Sequence, residues 1–262
     1  MPPRVLFLAA AAAAAVLVAG CGTTSVESVE GRVDGDPGVV KVRGWQEEGD
    51  GLPFVIQVPI NLEVVMAAEA TDAEILDVFE AYDDDIDDDV VSSVEVRLGG
   101  PARATLAAGG GIHVSEEMVG DLVAAQHDAT IARYRRQVAR LFASSPAVPD
   151  IQQSVEVALV SGGFDEVLDA VARYRSAEGI NLVTVRSHVF TLTVDDVMDE
   201  AELTDAKVQL MRIVGDQFGL RAAALGSSSS LTLWVDAEDV PAARRLVEEH
   251  DELGWASVEA HR

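Results

Sequence analysis

The sequence predicts an α+β protein made of repeated βαβ units, and three observations carry that expectation. Short alternating or β-branched apolar segments recur along the chain. Between them lie stretches of about 10–15 residues with apolar side chains at helical spacing. Gly- and Asp-rich clusters separate the two kinds of segment. Composition agrees: the 262 residues are 48% hydrophobic and 24% charged, an ordinary globular balance. The charge is lopsided, with 19 Lys+Arg against 45 Asp+Glu and a formal net charge of −26. Such a surface repels phosphodiester backbones, so no nucleic-acid partner is expected. The lone cysteine excludes an intrachain disulfide and a cysteine-built metal cluster.

Taken in order, the cluster Asp34-Gly35-Asp36-Pro37-Gly38 is a turn leading into a strand at 39–42. An acidic loop follows at 46–51, then an alternating segment at 54–66 interrupted by Pro59. The first unit places a strand at 61–66 and opens a helix at Thr71-Asp72-Ala73-Glu74, whose Thr-x-x-Glu spacing is a capping box. Ile75, Leu76, Val78, Phe79 and Tyr82 fall on one face of that helix, and a strand returns at 90–96. A less regular unit takes a strand at 103–107 and helices between 116 and 143. The next unit has a strand at 155–160, a Gly162-Gly163 turn, an apolar stripe from Phe164 to Tyr174 and a strand at 181–185. Another joins a strand at 188–194 to a helix lined by Leu203, Val208, Met211, Val214 and Phe218, then a strand at 220–225. Ser227 to Ser230 form a hairpin loop, after which a strand at 231–235, a helix at 240–250 and a strand at 255–260 complete the chain.

This rhythm suits two ferredoxin-like (split βαβ) antiparallel sandwiches, at 38–150 and 151–262. A doubly wound α/β sheet is the alternative. It is disfavoured because strands covered on both faces show continuous apolar runs rather than alternation.

The first twenty residues differ from all the rest. Arg4 gives a positive start, and 5–19 runs without a polar side chain, too short for a spanning helix but right for a signal-peptide core. The run ends in Val18-Ala19-Gly20-Cys21, which resembles the lipobox of bacterial membrane lipoproteins. The resemblance implies cleavage between Gly20 and Cys21 and lipidation of the Cys21 thiol, with 21–37 as lipid anchor and tether. It also implies a cell-membrane location on the extracytoplasmic face. Burial at ~0.8 kcal/mol per CH₂ makes two or three acyl chains worth on the order of 20 kcal/mol, so lipid does the anchoring against an unfavourable charge.

The remaining chemistry is sparse. The run Asp83, Asp84, Asp85, Ile86, Asp87, Asp88, Asp89 offers oxygen ligands for a divalent cation. It lacks the turn glycine and terminal Glu of an EF-hand loop, so a solvated acidic loop is the plainer expectation. Arg133, Arg136 and Arg140 are expected on one ridge of a helix, as a surface for an anionic partner or its own acids. His113, His127, His188, His250 and His261 are scattered, and neither HExxH nor Gly-x-Ser-x-Gly occurs. The expectation is therefore a lipid-anchored extracytoplasmic protein, a non-catalytic binding or structural module without cofactor, with an envelope protein as possible partner. The alternatives are an envelope hydrolase with dispersed carboxylate and His residues, and divalent-cation binding at 83–89.

Overall fold

The computed structural model describes residues 25–46, 60–83, 91–100, 102–140, 151–177, 179–195, 205–226, 230–250 and 255–261. They form a mixed α+β structure with eleven strands in one sheet, in chain order from β1 to β11. The strands are β1 (Val39–Gln46), β2 (Ile60–Met66), β3 (Val91–Leu98), β4 (Thr105–Gly109), β5 (Ile131–Arg140) and β6 (Ile151–Leu159). They continue with β7 (Ile180–Arg186), β8 (Thr191–Asp195), β9 (Ala222–Leu225), β10 (Leu231–Val235) and β11 (Ala256–Ala260). The helices are α1 (Val26–Glu30), α2 (Asp72–Asp83), α3 (Glu116–His127), α4 (Phe164–Arg175), α5 (Asp205–Phe218) and α6 (Val240–Glu248).

Pairing alternates along the sheet. Consecutive strands with no described helix between them are antiparallel, as in β1–β2, β3–β4 and β5–β6. Strands joined through a helix are parallel, as in β2–α2–β3, β4–α3–β5 and β6–α4–β7. Repeated βαβ units are thus present, but each crossover joins immediate neighbours. A ferredoxin-like sandwich inserts a third strand between them and leaves the sheet antiparallel; here the helix-linked neighbours pair directly and in parallel. β5 and β6 pair from Ile131 opposite Leu159 to Arg140 opposite Ile151, with one register shift between Ile131 and Arg133.

Side-chain alternation gives the sheet two unlike faces. On the covered face one cross-strand row runs Val64, Val96, Leu106, Arg136, Val155, Val183, Val194, Leu225 and Leu231, all buried. The next row, one residue along, runs Val65, Arg97, Thr105, Arg135, Glu156, Thr184, Thr193, Ala224 and Thr232 on the other face. The helices bury Ile75, Val119, Leu122, Val167, Val171, Met211, Val214 and Val247 into one core with the apolar row. The doubly wound alternative needs helices on both faces, and the polar row shows why it fails: a one-faced core selects the period-two pattern seen in these strands.

Helix starts follow local chemistry. Thr71 and Glu74 make the expected reciprocal cap of α2: the Thr71 N–H donates to Glu74 Oε2 at 2.8 Å and the Glu74 N–H to Thr71 Oγ1 at 3.3 Å. Ser115 caps α3 by accepting from the Met118 N–H. Helix α1, which the sequence reading leaves within a tether and turn, is capped by Ser25 and lies over β1 at Gly44. A Cβ there would come within 2.7 Å of Val26 Cγ1, so the close approach requires glycine.

Candidate functional site: an arginine groove on the open sheet face

Strand β5 is where expectation and structure part most sharply. The segment from Ile131 to Arg140 is a strand, not the helix that would put Arg133, Arg136 and Arg140 on one ridge. In a strand, positions three apart point to opposite faces. Arg136 faces the core at 1% exposure, Arg133 is exposed on the open face, and Arg140 is exposed at the strand end. The helix expected up to 143 stops at His127, and its C-cap Asp128 is extended.

Arg136 belongs to a buried polar cluster under α3 and α4. Its Nη1 donates to Asp121 Oδ2 at 2.8 Å and its Nη2 to Gln153 Oε1 at 2.7 Å. Burial raises the Asp121 carboxyl above its ordinary value, outweighing the opposing pull of Arg136. The neighbouring Tyr134 and Tyr174 rings lie 5.7 Å apart, their hydroxyls buried without a hydrogen-bond partner. Burial pushes both hydroxyls above the ordinary phenol range. A cavity of about 450 Å³ opens beside this cluster, lined by Asp128, Thr130, Glu166, Asp169, Arg173 and Tyr174 among others. Around its rim Arg173 pairs with Asp128 at 3.1 Å, and the Thr130 hydroxyl, Oγ1, donates to Asp128 Oδ1 at 2.6 Å. Those contacts hold the Asp128 carboxyl below its usual range, Thr130 contributing most.

The open face carries further basic side chains. Lys41 and Arg43 on β1, Arg97 on β3, and Arg133 and Arg135 on β5 share it by register. Together with Arg103 these are six of the chain's 19 basic side chains, concentrated on one edge of a protein with 45 acids. Between β3, β4 and β5 they border a groove of about 560 Å³, lined by Arg97, Arg103, Arg133, Arg135, Glu95 and Thr105 among others.

The groove is braced from below and behind. Glu95 bridges two walls, accepting from Arg97 Nη2 at 3.2 Å and lying 3.6 Å from Arg135 Nη2. Arg97 Nη2 also meets Glu63 Oε1 at 2.9 Å. Arg103 sits in the β3–β4 turn at φ 45, the one non-glycine residue with positive φ among the described residues. That turn is locked from the helix side by buried Gln126, whose Nε2 donates to the Gly99 carbonyl at 2.5 Å and whose Oε1 accepts from the Ala104 N–H at 3.4 Å. Gly100, at φ 114, leaves room for that amide; a Cβ there would collide with Gln126 Nε2. Arg103 and Arg133 have no acidic partner among the described residues. The Nε–H of Arg135 is buried in the groove wall without an acceptor.

Of the groove residues, sequence reasoning singled out Arg133 alone. It missed Glu95, Arg97, Arg103 and Arg135. A signal was present in Val94-Glu95-Val96-Arg97-Leu98, where apolar residues alternate with charges and so mark a face. Cys21, Gly20 and Asp84, Asp85, Asp87, Asp88 and Asp89 lie outside the described residues, and Asp83 ends α2. Among the described residues no three His, Cys, Asp or Glu side chains are grouped to hold a metal ion. No family model matches the chain, nor does any curated protein or solved structure.

Proposed function

We propose that the protein is a lipid-anchored, extracytoplasmic binding module that works without catalysis, tethered through Cys21 and presenting the open sheet face to its partner. The observation that carries the binding role is the contrast between faces. One is sealed by helices and apolar. The other, uncovered among the described residues, gathers cationic side chains on its β1–β5 edge in a strongly acidic chain. An exposed basic patch against such a background is a complementary surface for an anionic partner, because it concentrates a local field opposite to the net charge. The anchor rests on the lipobox-like Val18-Ala19-Gly20-Cys21 after an apolar core. Acylation there would set the folded part at the outer membrane–water boundary, held by lipid chains rather than by charge.

The anchor is tested by Cys21→Ser in a bacterial host that processes lipoproteins. The parent is expected in the membrane fraction with a mass increase of a diacylglyceryl group on its first residue. The variant is expected to lose that modification and to leave the membrane or retain its leader. Normal processing and unchanged fractionation of the variant would overturn the reading.

A further inference from the structure

We infer that the groove bounded by Arg97, Arg103, Arg133 and Arg135 binds a phosphate group, carried either by a small phosphoester or by a phospholipid headgroup. The inference deepens the binding-module reading and rests on the open face being its working surface. Four arginines border the groove against the carboxylates of Glu95 and Glu63, with Glu156 opposite Arg135 in register, so its lining stays net positive. A phosphate monoester carries nearly two negative charges and three acceptor oxygens, and guanidinium forks match those oxygens in pairs.

The division of labour among the arginines supports this. Glu95 and Glu63 hold Arg97 in place, and Glu95 lies beside Arg135, so two walls are fixed before any ligand arrives. Arg103 and Arg133 face the same space with their charge unspent. The buried Arg135 Nε–H lacks an acceptor, and a buried donor without a partner is costly unless a ligand supplies one. The β3–β4 turn spends a left-handed backbone on Arg103, and Gln126 clamps both sides of it. Two arginines without an acidic partner and one buried donor without an acceptor thus stand at one concavity. Glu156 stands opposite Arg135 in register, and its carboxylate disfavours an anion on the β6 side.

The test uses the full chain in detergent and isothermal titration calorimetry with pyrophosphate at fixed ionic strength. Pyrophosphate is expected to bind, and Arg103→Asn/Arg133→Gln to weaken it by about tenfold or more, asparagine being tolerated at positive φ. Arg212→Gln, at the ion pair with Asp165 between α5 and α4, is expected to bind as the parent does. Circular dichroism melts confirm that the variants are folded. Soluble dihexanoylphosphatidic acid and glycerol 3-phosphate separate the sources. Tighter binding of the former assigns a headgroup, and equal or weaker binding assigns a small phosphoester. Absence of binding by all three probes, or parent-like binding by the folded double variant, overturns the inference. Membrane retention through Cys21 is scored separately, so failure at the groove is distinguishable from failure of the anchor.

Discussion

Arg133 and Arg136 occupy the same strand, carry the same side chain and have opposite fates. Arg136 lies in a row of buried Val and Leu side chains, with Asp121 and Gln153 saturating two of its nitrogens. Arg133 stands on the opposite face with no acidic partner among the described residues. The difference teaches that charge alone does not make a site. A guanidinium whose two terminal nitrogens are bonded inside the fold supports structure, whereas one without an acidic partner beside a concavity is available to a ligand. The two faces of the sheet sort the arginines into these roles.

The comparison breaks first at Arg136. Arg136→Met keeps most of the volume but strands Asp121 and Gln153, and is expected to lower unfolding free energy by about 3 kcal/mol. Asp121 is partly exposed, which holds the loss toward the lower end of that for breaking a buried pair. Urea unfolding measures it, and a loss under about 1 kcal/mol would mean that the buried pair contributes little. The effect has a pH signature. The native Asp121 carboxyl titrates above 3.8, so native Asp121 holds its proton to higher pH than the unfolded chain does. Its burial therefore costs stability as pH rises through that window and costs nothing below it. Without Arg136 the carboxyl rises further, and the penalty of the substitution should shrink as pH falls toward 3.8.

Gln126 tests whether the covered face positions the open one. Gln126→Leu leaves the Gly99 carbonyl and Ala104 N–H without their side-chain partner, at an expected cost of about 1–3 kcal/mol by thermal melting. Because the turn carries Arg103, pyrophosphate affinity should fall as well. Parent-like affinity in a folded Gln126→Leu protein would show that the turn needs no clamp to present the arginine.

The smallest expected effect sharpens the contrast most. Arg133→Gln removes an exposed cation with no acidic partner and should change stability by less than about 0.5 kcal/mol. Removing a lone positive charge from a chain of net charge −26 raises general repulsion only slightly. A loss comparable to that of Arg136→Met would erase the distinction between the two arginines.

Much of the fold was legible because it depends on local pattern. The capping box at Thr71 and Glu74, the stripe Val167, Val171 and Tyr174, and the alternation along β2 each follow from the chemistry of a few adjacent residues. The site was less legible. Ile131, Tyr134, Val138 and Leu141 fit a helical stripe, while Tyr134, Arg136 and Val138 fit a strand face; pairing with β4 and β6 decides for the strand. Strand preference arises from cross-strand neighbours that a single segment does not contain.

By itself, then, the sequence determined the alternating βαβ order, the capping box that opens α2 and the acidic balance, all of which are written in short spans. Only the tertiary structure decided that the βαβ strands are direct neighbours, that Arg136 is buried, and that Glu95, Arg97, Arg103, Arg133 and Arg135 line one groove. The physical reason is that a groove on a sheet is a property of register. Residues from three strands become neighbours only when backbone pairing brings them side by side, and that pairing is selected by burial of the opposite face.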